Sequence, residues 1–336
     1  MRLNRLDLNL LVALDALLTE KNITRAGQKL SLSQSATSGV LARLRDYFGD
    51  PLLMPVGRAM KLTPKAEELQ KPVRDVLLTI QSTIAVQPGF DPATSQRHFR
   101  VTASDYPVSV VLAEAARRMG EEAPGVTLEI AMPGDDVQGG IERGEVDMLI
   151  MPRQYLAAGH PSEALYEESY SCVVWAGNTQ VGDTLTLAQY MSLSHVTTMF
   201  GSHRQPSLEE WFLKSSALSR RIEITTNNFN TLPLLVLGTQ RVATMHNRLA
   251  RLFVRTLPLR IVPLPVDFPT MVWSMQWPRH LSADPAHQWF RGMVSAAAHA
   301  ADAGASVADQ LWGELAGARP TLRHSETPRA SRRRQP

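Results

Sequence analysis

A run of small polar and basic side chains between residues 33 and 45 has the chemistry needed to contact DNA. The Gln34 amide can bond adenine through two hydrogen bonds, and serine or threonine hydroxyls can bond bases or phosphates. Arg43 and Arg45 stand toward the end of the run, where phosphates would pass. The candidate DNA-contacting residues of this run are Ser33, Gln34, Ser35, Thr37, Ser38, Arg43 and Arg45.

The elements that must position these side chains are two short helices joined by a tight turn. Asn22 and Ser33 can each cap a helix, and the turn falls at residues 31–33. The second helix keeps one face apolar and the other face small, so that its backbone can lie deep in a DNA groove. A helix-turn-helix and an ordinary amphipathic helix with a solvated polar side both fit this stretch alone. The apolar residues at helical spacing are Leu3, Leu6, Leu10, Leu14 and Leu17 in a preceding helix, and Val40, Leu41, Leu44 and Phe48 in the last one.

The next stretch, PLLMPVGRAMKLT at residues 51–63, predicts a β-hairpin beside these helices. Its two apolar runs flank Gly57 and Arg58, which places Arg58 at the tip of a wing and adds it to the candidate DNA contacts. Thr63 followed by Pro64 is typical of a helix start, because proline suits the first helical position.

A long helix is predicted after this start, and its apolar residues recur at spacings that alternate between three and four. Such a seam favours pairing with a second chain, whereas a core-facing helix within one chain is the alternative. Pro72 lies inside the run and would bend the helix or cost it about 3 kcal/mol. The candidate dimerisation residues are Leu69, Val73, Val76 and Ile80.

The charge distribution separates the chain into parts. Its 336 residues are 44% hydrophobic and 20% charged, which is ordinary for a soluble globular protein of two or three domains. Residues 1–90 hold 12 Lys/Arg and 8 Asp/Glu, whereas residues 91–318 hold 17 and 23. A basic head on an acidic body indicates that only the head meets a polyanion. Residues 319–336 are basic and lack apolar periodicity, so we expect a disordered tail that is either a solvated extension or a source of nonspecific nucleic-acid affinity.

Cysteine usage and hydropathy limit the compartment. Cys172 is the single cysteine and is predicted to be a buried strand residue, which fits a reducing cytoplasm. No apolar run of about 18 residues occurs, so we expect no membrane span. The N-terminal leucine-rich stretch is interrupted by Asp7 and Asp15 and is not expected to be a signal peptide.

The order of helix, helix-turn-helix, wing and long helix resembles the LysR-type transcriptional regulators. Within that family the chain is most similar to the branch of nodulation and aromatic-catabolism regulators, through LDLNLLVALDALL at residues 6–18 and LARLRDYFGDPL at 41–52. Two residues depart from the family pattern. Ser35 replaces a usual proline, and Pro55 stands where an arginine is common, which leaves Arg58 to carry that phosphate contact.

Strands and helices alternate in the rest of the chain, which predicts parallel α/β sheets. YSCVVWAG at residues 170–177 and TMVWSMQW at 270–277 are predicted strands about a hundred residues apart. The chain therefore leaves one α/β lobe, builds another and returns. The resemblance implies the same fold: a winged helix-turn-helix with a linker helix, then two lobes of periplasmic-binding-protein type joined by two crossing strands.

Ligands of open α/β sheets bind beyond the carboxyl ends of the strands. By resemblance those ends line a cleft between the lobes, where they offer hydrogen bonds, aromatic walls and two cations for an anionic aromatic ligand. The candidate effector-binding residues are Ser104, Asp105, Tyr106, Pro133, Phe200, Ser202, His203, Arg204, Asn228 and Phe229.

These features predict a cytoplasmic regulator that binds an inverted-repeat operator in double-stranded DNA as a homodimer or homotetramer. The resemblance implies an activator that meets RNA polymerase and responds to a small aromatic or phenolic effector; a repressor that senses a non-aromatic metabolite is the alternative. An enzyme is not expected, because GxSxG, HExxH, GxGxxG and P-loop motifs do not occur, and we expect neither cofactor nor metal. An exported solute-binding protein would leave the basic head unexplained. The predicted domains are residues 1–63, 64–90 and 91–300, with an extension at 301–336.

Overall fold

The computed structural model describes residues 8–57, 59–85, 90–201 and 204–302. They form a helical head with a two-stranded hairpin, one long helix and a two-lobed α/β body. The helices are α1 (Leu8–Glu20), α2 (Ile23–Lys29), α3 (Gln34–Phe48), α4 (Pro64–Ala85), α5 (Asp105–Pro107), α6 (Ala113–Glu122), α7 (Val137–Glu142), α8 (Leu187–Ser192), α9 (Leu208–Ser215), α10 (Leu232–Val236), α11 (Asn247–Val254) and α12 (Pro285–Asp302). The strands are β1 (Leu53–Val56), β2 (Ala59–Leu62), β3 (His98–Ala103), β4 (Thr127–Ala131), β5 (Met148–Pro152), β6 (Ser162–Glu168), β7 (Tyr170–Trp175), β8 (Ser194–Phe200), β9 (Gln205–Pro206), β10 (Arg221–Thr226), β11 (Val242–His246), β12 (Leu259–Val262) and β13 (Met271–Gln276).

Short polar side chains begin the two helices of the helix-turn-helix. Asn22 accepts a hydrogen bond from the backbone N–H of Arg25 at 3.0 Å, and Ser33 accepts one from that of Ala36 at 3.2 Å. Both caps confirm the sequence prediction, because each satisfies an N–H that the first helical turn leaves unpaired. Gly49 ends α3 in the left-handed conformation, with φ of 60°.

A glycine allows α2 and α3 to approach closely. A Cβ added to Gly27 would lie 2.7 Å from Thr37 Oγ1 and 3.0 Å from the carbonyl oxygen of Leu32. Any larger residue at this position would have to push the two helices apart. The inner face of α3 buries Leu41, Leu44 and Phe48, as its spacing predicts.

The wing and the long helix are joined by a hydrogen-bonded corner. The Thr63 hydroxyl donates to Asp50 Oδ1 at 2.6 Å and accepts from the backbone N–H of Ala66 at 3.1 Å. Asp50 also accepts from the backbone N–H of Leu52 at 2.7 Å. Thr63 therefore caps α4, as predicted, and ties it to the end of the helix-turn-helix.

The first half of α4 packs against α1 of the same chain. Val73 is buried, Leu69 packs against the same apolar core, and Arg74 bonds the side chains of Asp15 and Thr19. The predicted seam is therefore divided: Leu69 and Val73 follow the core-facing alternative, and Val73 is not open to a second chain. The outward residues are Val76, which is 47% exposed, Ile80, which is half-buried, and Ile84, which is 77% exposed.

The body contains two sheets, and we call their domains the first and second lobes. The first-lobe sheet has the order β4-β3-β5-β13-β6, and the second-lobe sheet has the order β10-β8-β11-β7-β12, with β9 paired to β8. Neighbours among β3, β4 and β5 are parallel, as are β8, β10 and β11. The parallel pairing predicted for the strand–helix repeats is confirmed for these strands. The crossing strands differ, since β13 runs antiparallel to β5 and β6, and β7 runs antiparallel to β11 and β12.

The antiparallel strands mark where the chain passes between lobes. It leaves the first lobe after Glu168 and enters the second at Tyr170; it returns before Met271. This arrangement confirms the predicted two-lobed fold with two crossings. Cys172 lies in β7 with no exposed surface, and burial raises the pKa of its thiol to about 12. Among the described residues, no helix is long and apolar enough to cross a membrane.

Candidate DNA-binding surface and effector cleft

The outer face of α3 is a narrow polar surface with few bulky groups. Gln34, Ser35, Ser38 and Arg43 are exposed on it, together with Gly39 and Ala42. The Ser33 and Ser35 hydroxyls lie 3.0 Å apart and bond each other. Small side chains and an exposed amide leave the backbone of α3 open to a DNA groove.

Two of the residues predicted to contact DNA instead form hydrogen bonds within the head. Thr37 has no exposed surface, and its hydroxyl donates to the carbonyl oxygen of Ser33 at 2.9 Å, so we correct its assignment to a structural one. The Arg45 guanidinium donates to the carbonyl oxygens of Pro51 and Leu53 at 2.8 and 2.9 Å. Arg45 therefore holds the wing against α3, and a free phosphate contact is not its main role. Arg58 lies outside the described residues.

A cavity of about 320 Å³ lies between the two lobes. Four of the predicted effector residues line it, namely Ser104, Pro133, Phe200 and Phe229. Aromatic residues of both lobes line it: Tyr155 and Trp273 belong to the first lobe, and Phe200 and Phe229, whose rings lie 5.1 Å apart, belong to the second. The other residues that line the cavity are Gly134, Asp135, Asp136, Val137, Gln138, Ile150, Met151, Pro152, Tyr155, Tyr170, Gly201, Ser207, Leu208, His246, Met271 and Trp273.

The remaining predicted effector residues do not line this cavity. Asp105 is buried and accepts a hydrogen bond from the backbone N–H of Asn230 at 2.6 Å, which joins the lobes. Tyr106 lies fully buried behind the wall. Asn228 caps the turn at Thr231, and Arg204 is exposed with its guanidinium near Met199 Sδ. Burial corrects the assignment of Asp105 and Tyr106 as direct contacts. Arg204 and Asn228 do not line the cavity, and their assignment stays a prediction, while Ser202 and His203 lie outside the described residues.

Sequence reasoning missed the deepest part of the cavity wall. His246 ends β11, so the rule that ligands bind beyond strand ends could have found it. Tyr170, Met271 and Trp273 lie on the two crossing strands. No local pattern marks those strands as cavity walls, because their position depends on how the two lobes meet.

Four buried polar atoms of the lining residues have no hydrogen-bond partner among the described residues: Ser104 Oγ, Ser207 Oγ, His246 Nδ1 and Trp273 Nε1. Buried polar groups without partners are rare and costly, and a ligand that bonds them would relieve that cost. Burial lowers the pKa of His246 to about 3, so the imidazole is neutral at physiological pH.

The charge around the cavity is acidic. The described lining residues include Asp135 and Asp136 at the mouth and contain neither lysine nor arginine. Arg143 bonds Asp136 at 2.7 Å and lowers the pKa of its carboxyl group. The cavity therefore suits an uncharged ligand better than an anion.

A buried ionic cluster supports the second-lobe wall. The Arg220 guanidinium lies 2.9 Å from Glu210 and 3.7 Å from Glu209, and it donates to the Tyr190 hydroxyl at 2.7 Å. Both glutamates belong to α9, which directly follows the lining residue Ser207. The cluster thus fixes the start of α9 at the cavity.

Known protein families match both the helical head and the two-lobed body. A profile described as LysR substrate binding domain matches residues 92–298, and one described as bacterial regulatory helix-turn-helix protein, lysR family, matches residues 8–67. The chain belongs to the LysR family of transcriptional regulators. Its relatives and its fold neighbours are regulators, and it is not an enzyme.

Among similar members of the LysR family is nodulation protein D of Bradyrhizobium sp. (strain ANU 289), which is 45% identical over 294 residues and covers 88% of this chain and 87% of that protein. Nodulation protein D 2 of Rhizobium tropici is 43% identical over 88% of this chain and 93% of its own. A probable transcriptional regulator from Pseudomonas aeruginosa has a TM-score of 0.58 at 27% identity, covering 87% of this chain and 97% of its own. A full-length OxyR variant from the same organism shares the LysR fold at 15% identity, with a TM-score of 0.59 and coverage of 88% and 95%.

Proposed function

We propose that this LysR-family regulator activates an inducible operon when an uncharged phenolic compound binds between its two lobes. The observation that carries the proposal is the cavity wall, in which aromatic rings lie beside four buried polar atoms without partners among the described residues. A volume of about 320 Å³ lies within the usual range of small-molecule sites. The name of its relatives, nodulation protein D, supports an inducible operon of that kind as the target.

The chemistry of the wall supports hydroxylated aromatic rings in particular. A planar ring can pack against Phe200, Phe229 and Trp273, while its hydroxyl or carbonyl groups bond Ser104 and His246. A carboxylate ligand would find no lysine or arginine to bond among the described lining residues.

We propose that the exposed face of α3 reads one half-site of an inverted-repeat operator. Gln34 bonds a base, Ser35 and Ser38 allow close approach, and Arg43 meets the phosphates. Arg58 of the wing remains a candidate for a second phosphate contact. RNA polymerase is the partner that an activator of this kind must contact.

Pairing of two chains is part of the same proposal, as a homodimer or a homotetramer. Ile84 and Val76 on α4, and Leu8 and Val12 on α1, are exposed apolar residues that a partner chain would cover. A two-fold pair of heads matches an operator with two-fold symmetry.

The test is a calorimetric screen of the full-length protein against hydroquinone, para-nitrophenol, a hydroxyflavone, benzoate, glucose and glutamine. A neutral phenol is expected to bind, and Trp273→Phe should weaken it about tenfold because the variant removes one hydrogen-bond donor. Trp277→Phe is the matched control, since Trp277 bonds Ser282 outside the cavity.

Tighter binding of benzoate than of hydroquinone would contradict the proposal that the ligand is uncharged. Binding of glucose or glutamine alone would exclude the aromatic class and support a regulator of another metabolite. For the DNA half of the proposal, footprinting should show two symmetric half-sites, and Gln34→Ala should change the preferred sequence.

A further inference from the structure

The first crossing between the lobes contains a buried carboxylate. Glu168 ends β6 of the first lobe, and β7 of the second lobe begins two residues later. The Glu168 side chain is 2% exposed, and burial raises the pKa of its carboxyl group. A buried carboxylate of this kind is tolerated only while hydrogen-bond donors surround it.

One of those donors comes from behind the cavity wall. The Tyr106 hydroxyl donates to Glu168 Oε2. The Tyr106 ring stacks on the His246 ring, with centroids 4.0 Å apart and an interplanar angle of 14°, and meets the Trp273 ring edge-on at 4.8 Å. Tyr106 does not line the cavity, but both of these aromatic neighbours do. It therefore connects the ligand-facing wall to the crossing.

The other donors come from the second lobe. The backbone N–H groups of Ser169 and Asn247 donate to Glu168 Oε1 at 2.9 and 3.2 Å. Arg248 Nε lies 3.6 Å from Glu168 Oε2, and its guanidinium stacks over the Tyr166 ring at 4.4 Å. Glu168 thus joins a first-lobe side chain to the start of α11 at the first crossing between the lobes.

We propose that Tyr106 is a positioning residue that transmits occupancy of the cavity to the angle between the lobes through its hydroxyl on Glu168. A ligand that packs on His246 and Trp273 shifts the stacked Tyr106 ring, and the ring carries the hydroxyl with it. Since Glu168 holds both lobes, a change at that bond changes their relative orientation. The ligand-dependent part rests on the proposed effector function, whereas the interlobe link does not.

The link is tested first without any ligand, in the full-length protein. Spin labels on Glu122→Cys in the first lobe and Asp183→Cys in the second report the interlobe distance, with labelled chains diluted into unlabelled protein. Cys172 is buried and stays unlabelled. Tyr106→Phe should shift the mean distance by more than about 2 Å or broaden its distribution.

Tyr47→Phe is the matched control, because its hydroxyl lies in the head and has no hydrogen-bond partner among the described residues. It should keep the wild-type distance. Glu168→Gln is the second variant, should Tyr106→Phe not fold. In the double variant of Tyr106 and Glu168, the shift should equal that of the more severe single variant, since the two residues act through one bond. An unchanged distance in Tyr106→Phe and Glu168→Gln, or additive shifts, would overturn the link.

The second measurement uses the hydroxyflavone as probe and compares its dissociation constant with the activation ratio, the operon's transcription with probe divided by that without. Tyr106→Phe should change the constant by less than about threefold and reduce the ratio by at least about fivefold. A reduction explained by weaker probe binding, or an unchanged ratio, would overturn transmission. Absence of hydroxyflavone binding to the wild type counts against the proposed effector class, and the ligand-free distances then decide the link alone.

Discussion

Helix α3 and the cavity between the lobes both present polar groups, but in opposite physical states. On α3 the hydroxyls of Ser33 and Ser35 are exposed and bond each other at 3.0 Å, so water and local contacts satisfy them. In the cavity Ser104 Oγ, His246 Nδ1 and Trp273 Nε1 are buried without partners among the described residues. The polar groups of the head are therefore satisfied without DNA, whereas those of the cavity carry a cost that a hydrogen-bonding ligand would remove.

Charge divides the same two regions. Residues 1–90 hold more basic than acidic residues, while the described lining of the cavity contains aspartates and no lysine or arginine. DNA binding should depend strongly on salt, and ligand binding should not.

The largest effect is expected where two helices of the head touch. Gly27→Val would place side-chain atoms against Thr37 and the Leu32 carbonyl, which we expect to cost the head about 3 kcal/mol or more. Operator binding should be lost in a retention assay, while calorimetric binding of the hydroxyflavone to the body persists. Gly39→Ala is the control, because a Cβ there meets no atom within 4 Å, and it should keep the head folded. Retained operator binding by Gly27→Val would show that the helices can separate without losing function.

Pairing of heads should be sensitive to Ile84, which is 77% exposed on α4. Ile84→Asp would bury a charge in the proposed contact and should weaken association by about 2 kcal/mol or more. Sedimentation of the full-length protein should then shift toward smaller species. Thr79→Asp, on another face of α4, should leave the sedimentation unchanged; an equal shift in both variants would place the contact elsewhere.

The body should lose stability in acid through a histidine that the head lacks, since residues 1–90 contain none. His287 in α12 accepts from Arg291 at 2.9 Å and donates to the carbonyl oxygen of Asp147 at 2.8 Å, and burial lowers its pKa to about 4. As the pH falls, this histidine is protonated in the unfolded chain before it is protonated in the folded one. The stability that the neutral imidazole contributes is therefore complete above about pH 6.5, and it declines by about 1.4 kcal/mol per pH unit between about pH 6.5 and 4.

The free energy of unfolding of His287→Gln, measured in urea, should therefore depend less steeply on pH than that of the wild type. Between about pH 6.5 and 4 the difference in slope should correspond to about one proton. Gln288→Ala changes an exposed residue of the same helix that does not titrate, and it should keep the wild-type slope. An unaltered slope in His287→Gln would mean that the folded protein accepts the charged imidazole.

The smallest effect is expected for Arg43 and Arg45 of α3, whose substitutions should change different properties. Arg43→Ala should reduce the slope of log affinity for the operator against log salt by about 1, because one phosphate contact is lost. Arg45→Ala should instead lower the thermal stability of the head, since Arg45 bonds the carbonyl oxygens of Pro51 and Leu53. Equal loss of salt slope in both variants would mean that Arg45 leaves the wing to reach DNA.

The local parts of the fold were predictable because they depend on near neighbours in the sequence. Asn22, Ser33 and Thr63 cap helices within three residues of themselves. The wing at residues 53–62 also follows from adjacent patterns of apolar residues around a turn. The two-lobed body could be predicted as well, because strand and helix runs alternate along the chain.

Contacts between distant segments were less predictable. Helical spacing placed Thr37 with the polar residues of α3, but α2 covers it and leaves no exposed surface. The same spacing placed Val73 on a seam, but it did not say which neighbour covers that seam, and α1 of the same chain does. A periodic pattern identifies an apolar face, not its partner.

By itself the sequence determined the helix-turn-helix, its caps, the wing, the linker helix and the alternation that builds two lobes, since each depends on interactions a few residues apart. Only the tertiary structure decided which polar residues face the cavity. Ser104 and Phe229 follow strand ends and reach it, whereas Tyr106 turns inward to Glu168. Trp273 and Met271 line the cavity because the second crossing strand passes behind it. The direction of a side chain at the junction of two lobes is set by packing between segments far apart in the chain, which no local pattern encodes.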